Sequence, residues 1–170
     1  MEKKNFKKVI GVIGGHNHNT TKKARSISEK IGVILAENGY TIATGGEDGI
    51  MESVCKGAKS VDGTTIAIIK GNDKQMANKY IDYVIVTSLD LAFMNVLIWS
   101  SDCVLAFTGK YGTLSEIGLS LDIGKPLIMI GDNDLLVKEN IDRDNFIHFS
   151  EIESEQDFEK LVSTIKKIIQ

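Results

Sequence analysis

Residues 101–126, SDCVLAFTGKYGTLSEIGLSLDIGKP, limit what this chain can fold into more than any other stretch. Cys103, Val104, Leu105, Ala106 and Phe107 form a short unbroken apolar run, which predicts a strand covered on both faces. Gly109 and Gly112 follow; they let the backbone turn sharply and approach a ligand closely. Leu114, Ile117, Gly118 and Leu121 then recur at helical spacing, and Gly124 and Pro126 close the helix. A glycine turn that feeds a helix presents unpaired N–H groups at the positive end of the helix dipole, a setting that suits phosphate. Thr113-Leu-Ser-Glu116 also matches a capping box, in which Thr113 caps the helix and Glu116 reaches back to the Thr113 N–H. The stretch therefore reads either as a capped helix start or as an anion site.

The strand–glycine–helix unit occurs twice more. Residues 9–13 are apolar and lead into Gly14-Gly15, with a helix expected from Thr20 or Thr21 through Asn38. Residues 40–44 lead into Gly45-Gly46 and a helix from Asp48 or Gly49 through Lys59. Further strands are expected at 64–69, 83–87, 127–130 and 146–149, and a helix capped by Asp90 at 91–100. A polar loop or short helix is expected at 133–140, and Ser154-Glu-Gln-Asp157 opens a last helix.

Strands that alternate with helices require parallel pairing through right-handed crossovers. The expectation is a doubly wound, Rossmann-like α/β fold with a mostly parallel sheet of about six to seven strands, in a single domain of residues 1–170. Such a sheet gathers all three glycine turns on one edge. The fingerprint G-x-G-x-x-G is absent, because the loop after the first strand reads GGHNHN; this argues against a nicotinamide dehydrogenase.

Charge narrows the partners. A net charge of -3 over 170 residues leaves no electrostatic footprint for nucleic acid or an acidic membrane. Arg25 and Arg143 are the only arginines, so a bidentate arginine clamp on phosphate is not expected. Cys55 and Cys103 fit no metal spacing and read as buried structural thiols. His16-Asn-His18 lacks a third ligand and reads as solvent-facing, with no metal expected. Residues 1–8 are basic but precede no signal-length apolar run, and no run approaches membrane-spanning length, so a cytoplasmic protein is expected. Residues 91–100 are apolar nearly all round, which suits a subunit interface and a homo-oligomer with Trp99 as packing anchor.

In order along the chain, Gly14-Gly15, Thr44-Gly45-Gly46, Gly49-Ile50-Met51-Glu52, Gly112-Thr113-Leu114-Ser115-Glu116 and Gly124-Lys125-Pro126 resemble the Lonely Guy and lysine-decarboxylase-like superfamily. The likeness spans roughly residues 8–130. It is greatest to the short branch related to molybdenum cofactor carrier proteins and to the Rossmann domain of DprA. The superfamily's established enzymes are phosphoribohydrolases, which cleave a nucleoside monophosphate to free base and ribose 5-phosphate. The resemblance implies a dimer or tetramer and a ligand site at Gly14, Gly15, Thr44, Gly45, Gly46, Gly49, Met51, Asn95, Thr108, Gly109, Lys110, Gly112 and Thr113. Glu116 matches the catalytic glutamate of the enzymes.

Two departures bear on activity. The superfamily motif proline-glycine-glycine-x-glycine-threonine-x-x-glutamate has Phe107 for its proline and Thr108 for its first glycine here. An arginine expected beside Asn95 is replaced by Met94. The first reading is therefore a binding or carrier protein for a phosphorylated small molecule, a nucleotide or a molybdopterin-type ligand, with no cofactor required for function. Lys110 or Lys74 would supply point charge. The alternative is a phosphoribohydrolase that uses Glu116. A DNA-binding role like that of DprA is opposed by the acidic balance.

Overall fold

The computed structural model describes residues 6–132 and 144–169. The elements are β1 (Val9–Ile13), α1 (Lys22–Glu37), β2 (Thr41–Thr44), α2 (Ile50–Lys59), β3 (Thr65–Ile69) and β4 (Tyr83–Val86). They continue with α3 (Phe93–Ser100), β5 (Cys103–Phe107), α4 (Tyr111–Asp122), β6 (Leu127–Ile130), β7 (Phe146–Phe149) and α5 (Glu155–Ile168). Residues 133–140, read from sequence as a loop or short helix, lie outside the described residues, as does Arg143.

The strands form one seven-stranded sheet in the order β4-β3-β2-β1-β5-β6-β7. Every neighbouring pair among the described residues is parallel, in keeping with the expected mostly parallel sheet. The chain winds outward from β1 to β4, returns to lay β5 beside β1, and winds outward the other way. The order thus reverses between β1 and β5, and the crevice beyond their C-terminal ends is the usual ligand position in such sheets.

The apolar runs divide by alternation. Cys103, Leu105 and Phe107 join Ile10 and Val12 in one core layer, under α1, α2 and α5. Val104 and Ala106 join Ile13 in the other, under α3 and α4. Both faces are covered, which is why β5 could be unbroken in its hydrophobicity. Cys55 and Cys103 are buried within the first layer, and burial pushes both thiols up to about 12, so neither is a nucleophile at neutral pH.

The helix ends follow local chemistry. The Thr21 hydroxyl accepts the Ala24 N–H at 3.0 Å and starts α1. Ser154 and Asp157 form the capping box expected for α5. Two expectations need correction. Asp90 does not cap a helix over 91–100: it has positive φ, its N–H donates to the Lys70 carbonyl, and it opens a short 3-10 turn (Asp90–Ala92) before α3. Nor do Thr113 and Glu116 form a capping box, because α4 begins earlier, with Lys110 as its N-cap. The connection from β5 to α4 is too short to leave Gly112 outside the helix.

Candidate functional site

The three glycine turns are joined by main-chain hydrogen bonds at the sheet's C-terminal edge. The Gly15 N–H donates to the Thr108 carbonyl at 3.1 Å, which ties the β1 turn to the β5 turn. The Ile50 N–H donates to the Gly15 carbonyl at 3.1 Å, which ties the β1 turn to the start of α2. Gly49 is required at that junction. Its φ is +76°, and a Cβ would run into the Gly15 carbonyl and the His16 backbone.

Two helices open on this junction without a side-chain cap, α2 at Gly49 and α4 at Lys110. The contrast with α1 and α5, both capped by hydroxyl side chains, is informative. In α4 the Leu114 N–H donates to the Lys110 carbonyl at 2.9 Å and closes the first turn. The N–H groups of Tyr111, Gly112 and Thr113 have no partner among the described residues, as expected for the first turn of an uncapped helix. Open space surrounds the position where Gly112 would carry a Cβ, so its backbone can be approached directly.

A cleft of about 170 Å³ occupies this position. Gly14, Gly15, Met51, Lys110, Gly112, Thr113 and Glu116, all named from sequence, line it. The remaining named residues stand behind or beside it. Gly45 lies under Met51 and Phe93, with no room for more than a Cβ, so it helps to set the floor. The Thr44 hydroxyl accepts the Gly46 N–H at 2.9 Å and fixes the turn after β2. Gly109 packs against the Thr113 side chain. Thr108 is exposed, and its hydroxyl donates to the Asp132 carbonyl at 2.9 Å. Asn95 is exposed on α3, and Met94 lines the cleft instead.

The cleft has a charged lip that the motif did not include. Lys70, at the end of β3, pairs with Glu47 at 2.7 Å. His16 bonds Asp48 at 2.7 Å through Nδ1 and approaches Glu47 at 3.4 Å through Nε2. His16 is therefore half-buried and engaged rather than simply facing solvent. Asn19, Leu91 and Phe93 complete the wall. Glu47 and Lys70 directly follow the glycine turn and a buried strand, and that position at a strand's C-terminal end was the available signal.

Glu116 is 8% exposed. Its carboxyl makes no hydrogen bond or ion pair among the described residues; its main-chain carbonyl accepts the Ser120 hydroxyl. Burial pushes the carboxyl up to about 8, and the nearby Glu47 carboxylate adds to the rise. Among the described residues no arginine lines the cleft. Arg25 is committed to the Asn17 and Thr20 carbonyls.

A second cleft, of about 260 Å³, lies between Ile27, Phe107, Ile130 and Ile152 on the face covered by α1. The helix end beside it is already capped by Thr21, and Lys23 on its rim is paired with Glu153. Its helix start is side-chain capped, unlike those of α2 and α4 at the first cleft.

The model of the SLOG cluster4 family matches residues 7–160. The chain belongs to that family. Its structure is similar to the molybdenum cofactor binding protein of Rippkaea orientalis, with 32% identity and a TM-score of 0.84 over 97% of this chain and 99% of that one. It is also similar to the Moco carrier protein of Chlamydomonas reinhardtii, with 27% identity and a TM-score of 0.82 over 96% of this chain and 98% of that one. DNA processing protein A of Helicobacter pylori shares the fold, at 18% identity and a TM-score of 0.67 over 94% of this chain and 80% of that one. These neighbours of the SLOG family are those that the glycine turns pointed to.

Proposed function

We propose that this SLOG-family protein binds, and carries, a phosphorylated small molecule of the molybdopterin or nucleotide class in the cleft beyond β1 and β5. The observation that carries the reading is the pair of helices, α2 and α4, that open there without side-chain caps. Phosphate oxygens would accept from the α4 N–H groups around Gly112 and from the Thr113 hydroxyl. Lys110 adds positive charge beside them. Ligand pockets are commonly ~300–1,000 Å³, so this smaller cleft suits the phosphate end, with the ring system extending over Leu91 at the rim. The likeness to molybdenum cofactor binding and carrier proteins supports a carrier role.

A phosphoribohydrolase is the second reading, because Glu116 lines the same cleft. A carboxyl held near 8 is mostly neutral at pH 7 and would do little to stabilise developing positive charge at a sugar carbon. Binding without turnover is therefore the better account. Exposed Leu91 and Trp99 favour assembly of the binding protein as a homo-oligomer, a dimer or tetramer, through residues 91–100.

The test is incubation with nucleoside monophosphates and with released molybdenum cofactor, reading thermal stabilisation and free base together. Stabilisation with intact ligand supports the carrier. Free base released by the wild type and not by Glu116→Ala would replace it with the hydrolase. Gly112→Asp supplies the site control. Outside the helix's own backbone and the chain neighbours, no atom lies within 4 Å of the added Cβ, so the variant should fold. Its carboxylate about 5 Å from a phosphate costs roughly 3 kcal/mol per charge pair at an effective dielectric of 20, so affinity should fall about a hundredfold. Unchanged affinity would remove this turn from the site.

A further inference from the structure

Two carboxyls line the cleft; Glu47 is paired with Lys70, but a phosphate alone does not explain Glu116. An anion site is usually built without a carboxyl in its wall. Here the carboxyl is more than nine-tenths buried and takes no partner among the described residues. No fully buried side-chain oxygen or nitrogen among those residues lacks a hydrogen-bond partner, so the unpaired Glu116 carboxyl meets the cleft rather than sealed protein. Gly112 and Glu116 are four residues apart in α4, hence on one face, with a rise of about 6 Å between them.

The groups around it disfavour charge. Glu47, at the end of β2, repels an ionised Glu116. Lys70, at the end of β3, is paired with Glu47, and His16, after β1, with Asp48 and Glu47. From α3 come Leu91, Phe93 and Met94, which are apolar. Lys110, on the same helix start as the phosphate position, is the remaining cation in the wall among the described residues. A ligand phosphate one turn away would add a further repulsion. A protonated carboxyl escapes it and gains an O–H donor.

Building on the phosphate-binding reading, we propose that Glu116 is a specificity residue acting as a neutral hydrogen-bond donor. It selects phosphate monoesters that carry a hydroxyl, ether or carbonyl oxygen within about one helical turn of the phosphate, and ligand and proton are held together. Such an oxygen is present where a phosphate is attached to a sugar or to a pyran ring, and absent from inorganic phosphate.

Calorimetry with ribose 5-phosphate and inorganic phosphate as probes tests this between pH 7.5 and 9.5, where both are already largely dianionic. The wild type should prefer ribose 5-phosphate, and that affinity should fall by up to tenfold per pH unit above about 8. Glu116→Gln, which keeps the shape and cannot ionise, should show no such decline. The wild type provides a second reading that needs no variant. Titrations at pH 8.5 in buffers of different ionisation heat should reveal proton uptake on binding. Parallel pH profiles for wild type and Glu116→Gln, or binding without proton uptake, would overturn the role of Glu116 and leave the phosphate site standing. If neither probe binds the wild type at any pH, both readings fall.

Discussion

Glu116 links folding to pH in the absence of any ligand. Its carboxyl is held at about 8 in the folded chain against an ordinary 4.5. The folded state binds this proton more tightly than the unfolded state does. Its contribution to stability is therefore full below about pH 4.5, declines as pH rises, and is lost above about 8. Denaturant melts at pH 5, 7 and 9 should show a falling midpoint relative to Glu116→Gln, which removes this titration. Equal pH slopes in the two proteins would show that the carboxyl is better solvated than its burial implies. The sequence identified this residue by motif, but its environment was not legible. Thr-x-x-Glu fits a capping box as well as it fits a wall position, and only the early start of α4 at Tyr111 decides between them.

The order of strands and helices was legible because each buried strand is an unbroken apolar run and each helix has a periodic apolar face. Ala24, Ile27, Ile31, Ile34 and Leu35 of α1 pack into or against the first core layer, as their spacing requires. Less visible was how α1 and α2 pack. At Gly32 a Cβ would meet the Val54 carbonyl, and at Gly57 it would meet the Glu29 carbonyl. Neither glycine stood out in the sequence, since a glycine inside a helix signals only lower propensity until its neighbour is known. Gly57→Ala should force the helices apart and cost about 1–3 kcal/mol, measured by denaturant unfolding. A neutral or stabilising effect, the normal gain of alanine over glycine in a helix, would contradict this packing. The charged lip was missed for a related reason: Glu47, Lys70 and His16 come from three separate strand ends, and only the sheet brings them together.

The whole molecule presents an apolar surface opposite the α1 side. Leu91 just before α3 and Trp99 within it are exposed, and Tyr83 and Ile85 stand exposed on the edge strand β4. No helix among the described residues is long and apolar enough to cross a membrane, so a bilayer-spanning helix does not account for them. On the proposed homo-oligomer a second copy of the chain would cover them, and Trp99→Asp should then lower the mass measured by light scattering to that of a smaller species. An unchanged mass would place the assembly surface elsewhere or show a monomer. The central claim is that the uncapped start of α4, with the β1 turn, holds a phosphate. Backbone amide NMR with ribose 5-phosphate added stepwise tests it most directly. The account predicts the largest shifts at Gly14, Gly15, Tyr111, Gly112 and Thr113, with little change around Ile27, Ile130 and Ile152. Shifts centred on that second group, or none on the α4 amides, would contradict it.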